Sequence, residues 1–540
     1  MARKILCVAE KPSIAKSVAQ HLGGGQVTTH SIAGNTFVKN YDFDFNFSPP
    51  WGQCSVTMTS VIGHLTNVEF PQQYRKWQSC SPGSLFDCPV NVEVDKARYA
   101  RALFIWTDCD REGEHIGSEV RQAAFEGNRA IEVKRAQFSN TERAHIIQAA
   151  QNPANLDDRQ VNAVAARIEL DLRLGAAFTR FQTLNLQTMG AELADRIISY
   201  GSCQFPTLGF VVDRYFRVKH FVPEKFWSIK IMHQRDDMDV VFSYPRTETD
   251  SFDKGIDLRK LIEKQGQDHG WGGYAIGLLS GGFKQPRGGR HNDQAHPPIH
   301  PVNYVSPSSL GDDERKVYEF VVRRFLACCS EDAKGESTTV EIEYGDETFF
   351  TKGLIVLARN YLDVYPYEKW TSSQPLPKFN LNETFEPTEA NITEGETTAP
   401  GYLTEPELIS LMDANGIGTD ATMAEHIAKI KEREYVMTLA RGGGNAGDGR
   451  RGTVQQFIPT TLGVALIEGY DGIGLDTSLG KPFLRKEMEI KMKEICAGTK
   501  SRNDFVQETL EQYREVFVRT QQQVGVLKAA CRKYVFGGQP

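Results

Sequence analysis

The stretch Thr107-Asp108-Cys109-Asp110-Arg111-Glu112-Gly113-Glu114 follows directly on five apolar residues, Ala102 to Trp106. The apolar run reads as a strand buried in a sheet. The acids behind it restrict the fold further. Asp108, Asp110, Glu112 and Glu114 stand at every second position, so in a continuing strand all four carboxylates would share one face. Like charges that close repel unless a cation lies among them. A divalent metal is the first candidate for that cation.

Strands and helices alternate around this point. Ile5 to Ala9 reads as a strand, and Pro12 opens a helix whose Ile14, Val18 and Leu22 fall on one face. Residues 55–62 and 130–138 read as further strands, and Glu112 to Glu126 as a helix. The alternation predicts an α/β layer with a mainly parallel sheet. In such sheets functional groups collect beyond the carboxyl ends of the strands. Glu10 ends the first strand as Asp108 ends the later one, which places both acids at one sheet edge. The competing reading makes Glu10 and Lys11 a helix cap and the acidic run solvated surface; a second acid at another strand end favours the metal. Hard oxygen donors favour Mg²⁺, with Mn²⁺ as the alternative, and Mg²⁺ commonly works on phosphates.

Beyond residue 155 the pattern changes. Leu156 to Leu186 reads as a long helix rich in Ala, Arg and Leu, residues 220–400 are richer in Pro, Gly, Thr and aromatic residues, and helical periodicity returns from Leu403. The ten cysteines form no C-x-x-C pair and have no His at zinc-ligand spacing, which predicts a reducing compartment and no zinc site. No apolar stretch approaches the roughly 20 residues of a membrane span, and strand-like sequence from Ile5 leaves no room for a signal peptide, so the expectation is a cytosolic or nuclear protein that does not enter a membrane. The net charge of −7 weighs against a non-specific nucleic-acid coat but allows a local basic groove.

Glu10 in V-A-E-K-P-S-I-A-K, together with W-T-D-C-D-R-E-G-E-H-I-G, resembles the Toprim fold shared by DNA topoisomerases, primases and some nucleases. The resemblance implies that Glu10, Asp108, Asp110 and Glu112 form the catalytic and Mg²⁺-binding set, with Glu114 in support. S-Y-P-R-T-E-T-D (243–250) resembles the active-site tyrosine motif of type IA DNA topoisomerases, which makes Tyr244 the residue joined to DNA. A tyrosine is a weak nucleophile at neutral pH, its unperturbed pKa being about 10, and Arg246 is placed to pair with a phosphate oxygen. D-Q-A-H-P-P-I-H-P (293–301) is similar to the family's later histidine motif, implying a proton relay or phosphate contact at His296 and a DNA contact at His300. Residues 166–183 and 199–214 resemble the single-strand groove and put Arg167, Asp171, Arg173 and Gln204 on DNA; the competing reading pairs Arg173 with Asp171 or Glu169 on its own helix. Residues 411–427 add Thr419, Asp420 and Thr422. Lys11, H-P-P-I-H-P and L-A-R-N-Y-L-D-V-Y-P-Y bring the match nearest to the eukaryotic topoisomerase III branch, alpha type.

This family implies a multidomain α/β and α+β protein closed into a toroid. A Toprim α/β domain would occupy 1–155, a single-strand-DNA-binding helical domain 156–216 and 403–540, a shortened β-rich arch 217–243 and 336–402, and a tyrosine domain 244–335. Lys11, Arg246 and His296 would assist Tyr244 and Glu10 in breaking and rejoining a strand without ATP, in keeping with the lack of a G-x-x-x-x-G-K-[ST] loop. The implied partners are single-stranded DNA, a RecQ-family helicase and an OB-fold accessory subunit, acting together on double Holliday junctions in the nucleus. Two departures stand out: residues 233–242 run straight into the tyrosine motif where relatives carry a further segment, and cysteine-rich tail modules are lacking. The rivals are a Toprim nuclease or primase-like enzyme, which shares the acids without Tyr244, and a catalytically idle single-strand-binding scaffold.

Overall fold

The computed structural model describes residues 3–32, 35–89, 91–94, 102–232, 257–287, 298–368, 370, 376–419, 422–442, 453–474 and 478–537. They fall into two compact units, Met1–Pro223 with Thr398–Pro540, and Glu224–Thr397.

The first unit begins with β1 (Arg3–Ala9), α1 (Pro12–Leu22), β2 (Thr28–Ile32), β3 (Asn35–Asn46) and β4 (Gln53–Ser60). The short pair β5 (Thr66–Glu69) and β6 (Asn91–Val94) flanks α2 (Gln72–Arg75), and β7 (Ala102–Trp106), α3 (Arg111–Gly127), β8 (Glu132–Arg135) and α4 (Arg143–Gln151) follow. Six strands form one sheet in the order β2-β3-β4-β1-β7-β8. β1 runs parallel to β4 and β7, and β7 parallel to β8, while β3 is antiparallel to both its neighbours. The predicted parallel sheet is therefore present, with an antiparallel edge.

All five residues of β7 are buried, because each face of the sheet is covered. Phe104 and Trp106 pack on one side with Ala15, Val18 and Ala19 of α1, whereas Leu103 and Ile105 pack on the other with Val120 and Ala124 of α3. That is the two-residue alternation of a strand. It stops at Trp106. The acidic run does not continue the strand: Asp110 becomes the N-cap of α3, its carboxylate accepting the Gly113 N–H at 2.7 Å, and Glu112 and Glu114 lie in the first turn. Carboxylates suit a helix N-terminus, where backbone N–H groups are unpaired and the dipole is positive.

The helical part of this unit starts with α5 (Asp158–Leu186), α6 (Ala191–Ala194) and α7 (Gln204–Lys219). The chain then builds the second unit. There β9 (Lys225–Met232) pairs antiparallel with β12 (Glu389–Glu396), β10 (Lys334–Tyr344) with β11 (Glu347–Ala358), and α8 (Leu258–Gln265), α9 (Gly272–Gly277) and α10 (Asp312–Cys328) enclose a core around Ile262, Trp271, Val322, Phe325 and Val364. The first unit resumes with α11 (Glu405–Ala414), α12 (Met423–Glu432), β13 (Val436–Gly442), β14 (Thr453–Pro459), α13 (Thr461–Gly472), α14 (Phe483–Ala497), α15 (Arg502–Gln522) and α16 (Val524–Tyr534). Leu170 and Phe178 of α5 and Phe205 of α7 share one core with Met412, Tyr470, Met492 and Phe517. Segments more than two hundred positions apart thus depend on each other for burial, which is worth about 1.5–3 kcal/mol for each such large side chain. The first unit runs on past residue 216 because α7 carries the chain to Lys219.

Candidate active site and nucleic-acid groove

Sheet register assembles the first acids. Ala9 pairs with Trp106, so Glu10 and Asp108 emerge at the same carboxyl edge. The Glu10 N–H donates to the Trp106 carbonyl at 3.2 Å, and the Asp108 N–H donates to Glu10 Oε2 at 3.0 Å. Lys11 Nζ lies 2.8 Å from Asp108 Oδ2 and 3.2 Å from Glu10 Oε1. Partial burial works against the ammonium charge, but hydrogen bonds and attraction from Asp108 and Glu10 outweigh it and raise the Lys11 pKa. A cation therefore does sit between these carboxylates, and it is a side chain of the chain itself. Glu112 points elsewhere: both its oxygens accept from Arg167 Nη2, each at 2.9 Å.

A buried arginine frames the acidic loop. Arg135, at the end of β8, is fully buried and donates to Glu114 Oε1 at 3.0 Å and to the carbonyls of Thr107 and Asp108 at 2.8 and 2.7 Å. Glu114 is buried too and takes the Asp157 N–H at 3.0 Å on its other oxygen. Its two oxygens thus join Arg135 to the start of α5. An ion pair withdrawn from water persists only when its remaining hydrogen-bonding capacity is met, and here backbone groups meet it. Gly113 completes the packing, since a Cβ there would lie 2.0 Å from the Asp108 carbonyl oxygen.

Next to Glu112 opens a cavity of about 310 Å³. Its charged wall alternates in sign. Arg111 meets Glu489 at 2.9 Å, Glu489 meets Arg485 at 2.6 Å, Arg485 meets Asp171 at 3.5 Å, and Asp171 meets Arg167 at 3.7 Å, which closes on Glu112. Ser202 Oγ donates to Asp171 at 2.7 Å. Burial opposes the charge on Glu489, but Arg485 and Arg111 hold its pKa below the usual carboxylate range. Gln204, Thr419, Thr422 and His426 complete the wall, with Gly418 at φ +82° turning the chain between α11 and α12. Arg167 Nε, Arg485 Nε and Gln204 Oε1 are buried without a hydrogen-bond partner among the described residues. Groups left so in an interior signal a missing ligand or water. Burial, reinforced by Arg485, lowers the His426 pKa to about 4, so this imidazole is neutral at pH 7.

The structure thus gathers Arg167, Asp171, Gln204, Thr419 and Thr422 around one cavity, but not Arg173. That guanidinium is buried, 2.8 Å from Glu169, and it donates to the carbonyls of Leu85, Phe86 and Cys88 at 3.2, 3.2 and 2.7 Å. Arg173 instead ties α5 to the chain before β6, and its partner is Glu169, one of the two acids weighed. His300 lies in the second unit, its Nδ1 at 2.7 Å from the Pro298 carbonyl. Tyr244, Arg246, His296 and Asp420 lie outside the described residues. Sequence reasoning missed Arg111, Arg135, Ser202, His426, Arg485 and Glu489. Only Arg111 stood inside a quoted acidic motif.

A family model described as DNA topoisomerase matches residues 155–241 and 238–507, and a Toprim domain model matches residues 5–141. The chain belongs to the type IA DNA topoisomerases. DNA topoisomerase 3 of Schizosaccharomyces pombe is 46% identical over 98% of this chain and 99% of its own, and DNA topoisomerase 3-alpha of Homo sapiens is 40% identical over 99% of this chain and 60% of its own. These relatives place it in the eukaryotic topoisomerase 3 branch, as its motifs implied. The fold agrees with a solved structure of full-length topoisomerase I from Thermotoga maritima, with a TM-score of 0.60, 19% identity, and coverage of 95% of this chain and 90% of that one. The alignment with the Schizosaccharomyces pombe relative runs over 622 positions, more than the 540 residues of this chain, and the two pieces of the topoisomerase match meet at 238–241, directly before the tyrosine motif. Toprim domains generally bind Mg²⁺, and type IA topoisomerases act on DNA without ATP. Among the described residues no helix is long and apolar enough to cross a membrane.

Proposed function

We propose that this topoisomerase breaks and rejoins single-stranded DNA through a 5′-phosphotyrosine on Tyr244, with the strand seated in the cavity beside Glu112. The observation that carries this reading is a pair of arginines, Arg167 and Arg485, that line a cavity adjoining the Toprim acids, each with a buried Nε–H that has no hydrogen-bond partner among the described residues. Phosphate oxygens are the acceptors such donors fit. Asp171, Gln204, Thr419, Asp420 and Thr422 would orient the strand, and His300 would contact it elsewhere.

In the reaction Tyr244 Oη attacks phosphorus as the bond to the 3′ oxygen breaks, leaving a 3′-hydroxyl. Glu10 exchanges the proton at that oxygen, Lys11 and Arg246 oppose the charge that develops on the phosphate, and His296 relays a proton or holds the phosphate. One phosphodiester replaces another, so the bond energy is kept. The all-oxygen donor set, two of whose members already share the Lys11 ammonium, fits a hard divalent ion. Asp108, Asp110 and Glu112, with Glu10, would hold Mg²⁺ or Mn²⁺, which when bound supplies polarisation of a phosphoryl oxygen and orientation of the 3′ end. Kinship with topoisomerase 3 supports relaxation of negative supercoils, decatenation, and dissolution of double Holliday junctions in the nucleus alongside a RecQ-family helicase and an OB-fold subunit.

The test is incubation with end-labelled single-stranded DNA and Mg²⁺, a detergent stop, and mapping of any covalent adduct. A 5′ adduct on the Tyr244 peptide that disappears in Tyr244→Phe is expected. Cleavage without an adduct would move the assignment to a Toprim nuclease, and binding without cleavage to a scaffold.

A further inference from the structure

One cluster of potential metal-ligating side chains has no role assigned in that reaction. After β4 the chain passes over α3, bringing His64 against His115 and Glu119, which stand one helical turn apart on the same face. His64 Nδ1 is 3.3 Å from each oxygen of Glu119, and His115 Nδ1 is 3.4 Å from Glu119 Oε1. One potential ligand atom from each of the three residues lies within 4.8 Å of the other two. Glu119 Oε2 also takes the Leu65 N–H at 2.8 Å, which fixes the carboxylate in place. His115 is only 8% exposed, and its Nδ1 has no hydrogen-bond partner among the described residues. A buried ring nitrogen beside a carboxylate, without a formed hydrogen bond, has its lone pair free for a metal.

We propose that His64 Nδ1, His115 Nδ1 and Glu119 Oε1 bind one first-row transition-metal ion of the Zn²⁺ class, at a site that adjoins Glu112 but uses none of the Toprim acids as ligands. Imidazole nitrogens select such ions over Mg²⁺. At bond lengths of about 2.0–2.2 Å the edges of a tetrahedral site measure about 3.3–3.6 Å. The two edges that meet at Glu119 Oε1 already have that length, 3.3 and 3.4 Å, and the binding of an ion would draw the two imidazoles together along the third. The Leu65 amide serves as the outer partner that orients a ligating carboxylate. The exposed side of His64 leaves a fourth position for water. The ion would clamp the segment after β4 to α3, the helix whose first turn carries Glu112, and His64 Nε2 lies 3.8 Å from that carboxylate. Short ligand spacings of the kind typical of zinc motifs do not reveal this set, because His64 comes from a strand connection about fifty residues before His115.

The test uses the full chain with Zn²⁺ or Co²⁺ alone, without DNA. Equilibrium competition against a chromophoric chelator should give one tight site per chain, and Co²⁺ should show the visible bands of a tetrahedral ion without thiolate charge-transfer absorption. His115→Asn, which keeps the buried volume, and His64→Ala, at a partly exposed position, should each weaken binding by more than the roughly 10–100-fold that loss of an outer partner costs. Asp108→Asn should not. Wild-type affinity in either histidine variant, thiolate bands, or loss of binding in Asp108→Asn would each overturn the assignment, as would failure of the wild-type chain to bind. None of these outcomes depends on DNA cleavage, so the site stands or falls apart from the reaction proposed above.

Discussion

Glu10 and Asp108 are placed by backbone register, whereas the ring of charges around the cavity is placed by side chains of α3, α5 and α14 that meet only when the helical core is complete. The difference predicts different responses to damage. A substitution among the strand-end acids removes chemistry and leaves the frame, because the sheet and Arg135 hold the loop. A substitution in the ring disturbs its neighbours, because each charge there is oriented by the next.

The largest effect should come from Glu10→Gln. The amide oxygen can still accept the Asp108 N–H, so the melting temperature should stay near that of the wild type, while single-turnover cleavage and rejoining fall on the order of 10²–10⁴-fold, the span typical of a lost acid or base. A rate within tenfold of the wild type would remove Glu10 from the proton transfer. Arg135→Leu should do the reverse. It strands the buried Glu114 carboxylate and should cost about 3–5 kcal/mol in urea unfolding of the enzyme, and adding Glu114→Gln should restore part of the loss. If the single variant loses less than about 1 kcal/mol, the loop is held by something other than this pair.

What the sequence revealed, and what it hid, follows the same division. Glu10 and Asp108 were legible because an apolar run that ends in an acid, twice, can be read without knowing any packing. Arg135 was not, since an arginine inside A-I-E-V-K-R-A-Q-F looks like the polar face of a strand; its burial comes from the loop that wraps over it. Arg485 and Glu489 gave no signal at all, because which face of α14 meets α5 is decided by the core. Arg173 parts from the cavity residues for a reason that a helical wheel exposes. With 3.6 residues per turn it projects about 120° away from Arg167, whereas Asp171 projects only about 40° away and shares the cavity. Motif resemblance transferred the whole segment, but geometry separates its members.

A smaller effect should distinguish the two arginines directly. Arg167→Gln should lower affinity for single-stranded DNA and reduce the salt dependence of log K by about 0.7, the share of one phosphate contact on a single strand. Arg173→Gln should leave that slope unchanged and instead destabilise the fold, because three backbone carbonyls lose their donor. Equal slopes for Arg167→Gln and the wild type would take the strand out of this cavity.

The smallest effect is a pH dependence confined to the groove. His426 has its pKa lowered from 6.5 to about 4, first by burial and then by Arg485, whereas in the unfolded chain it protonates near 6.5. Between those values the unfolded state holds more protons, so stability rises with pH there. The contribution is complete above about pH 6.5 and is lost progressively as the pH falls towards 4. His426→Gln should therefore flatten the stability profile across that window without changing it near pH 8. Bound DNA supplies a further check, because phosphate charge beside the imidazole favours its protonated form and raises the pKa. In histidine-labelled protein the His426 resonance should titrate at higher pH once single-stranded DNA is added. An unchanged titration would mean that the phosphates lie beyond the reach of this wall, and the ring of charges would then be a structural device that closes α14 onto α5.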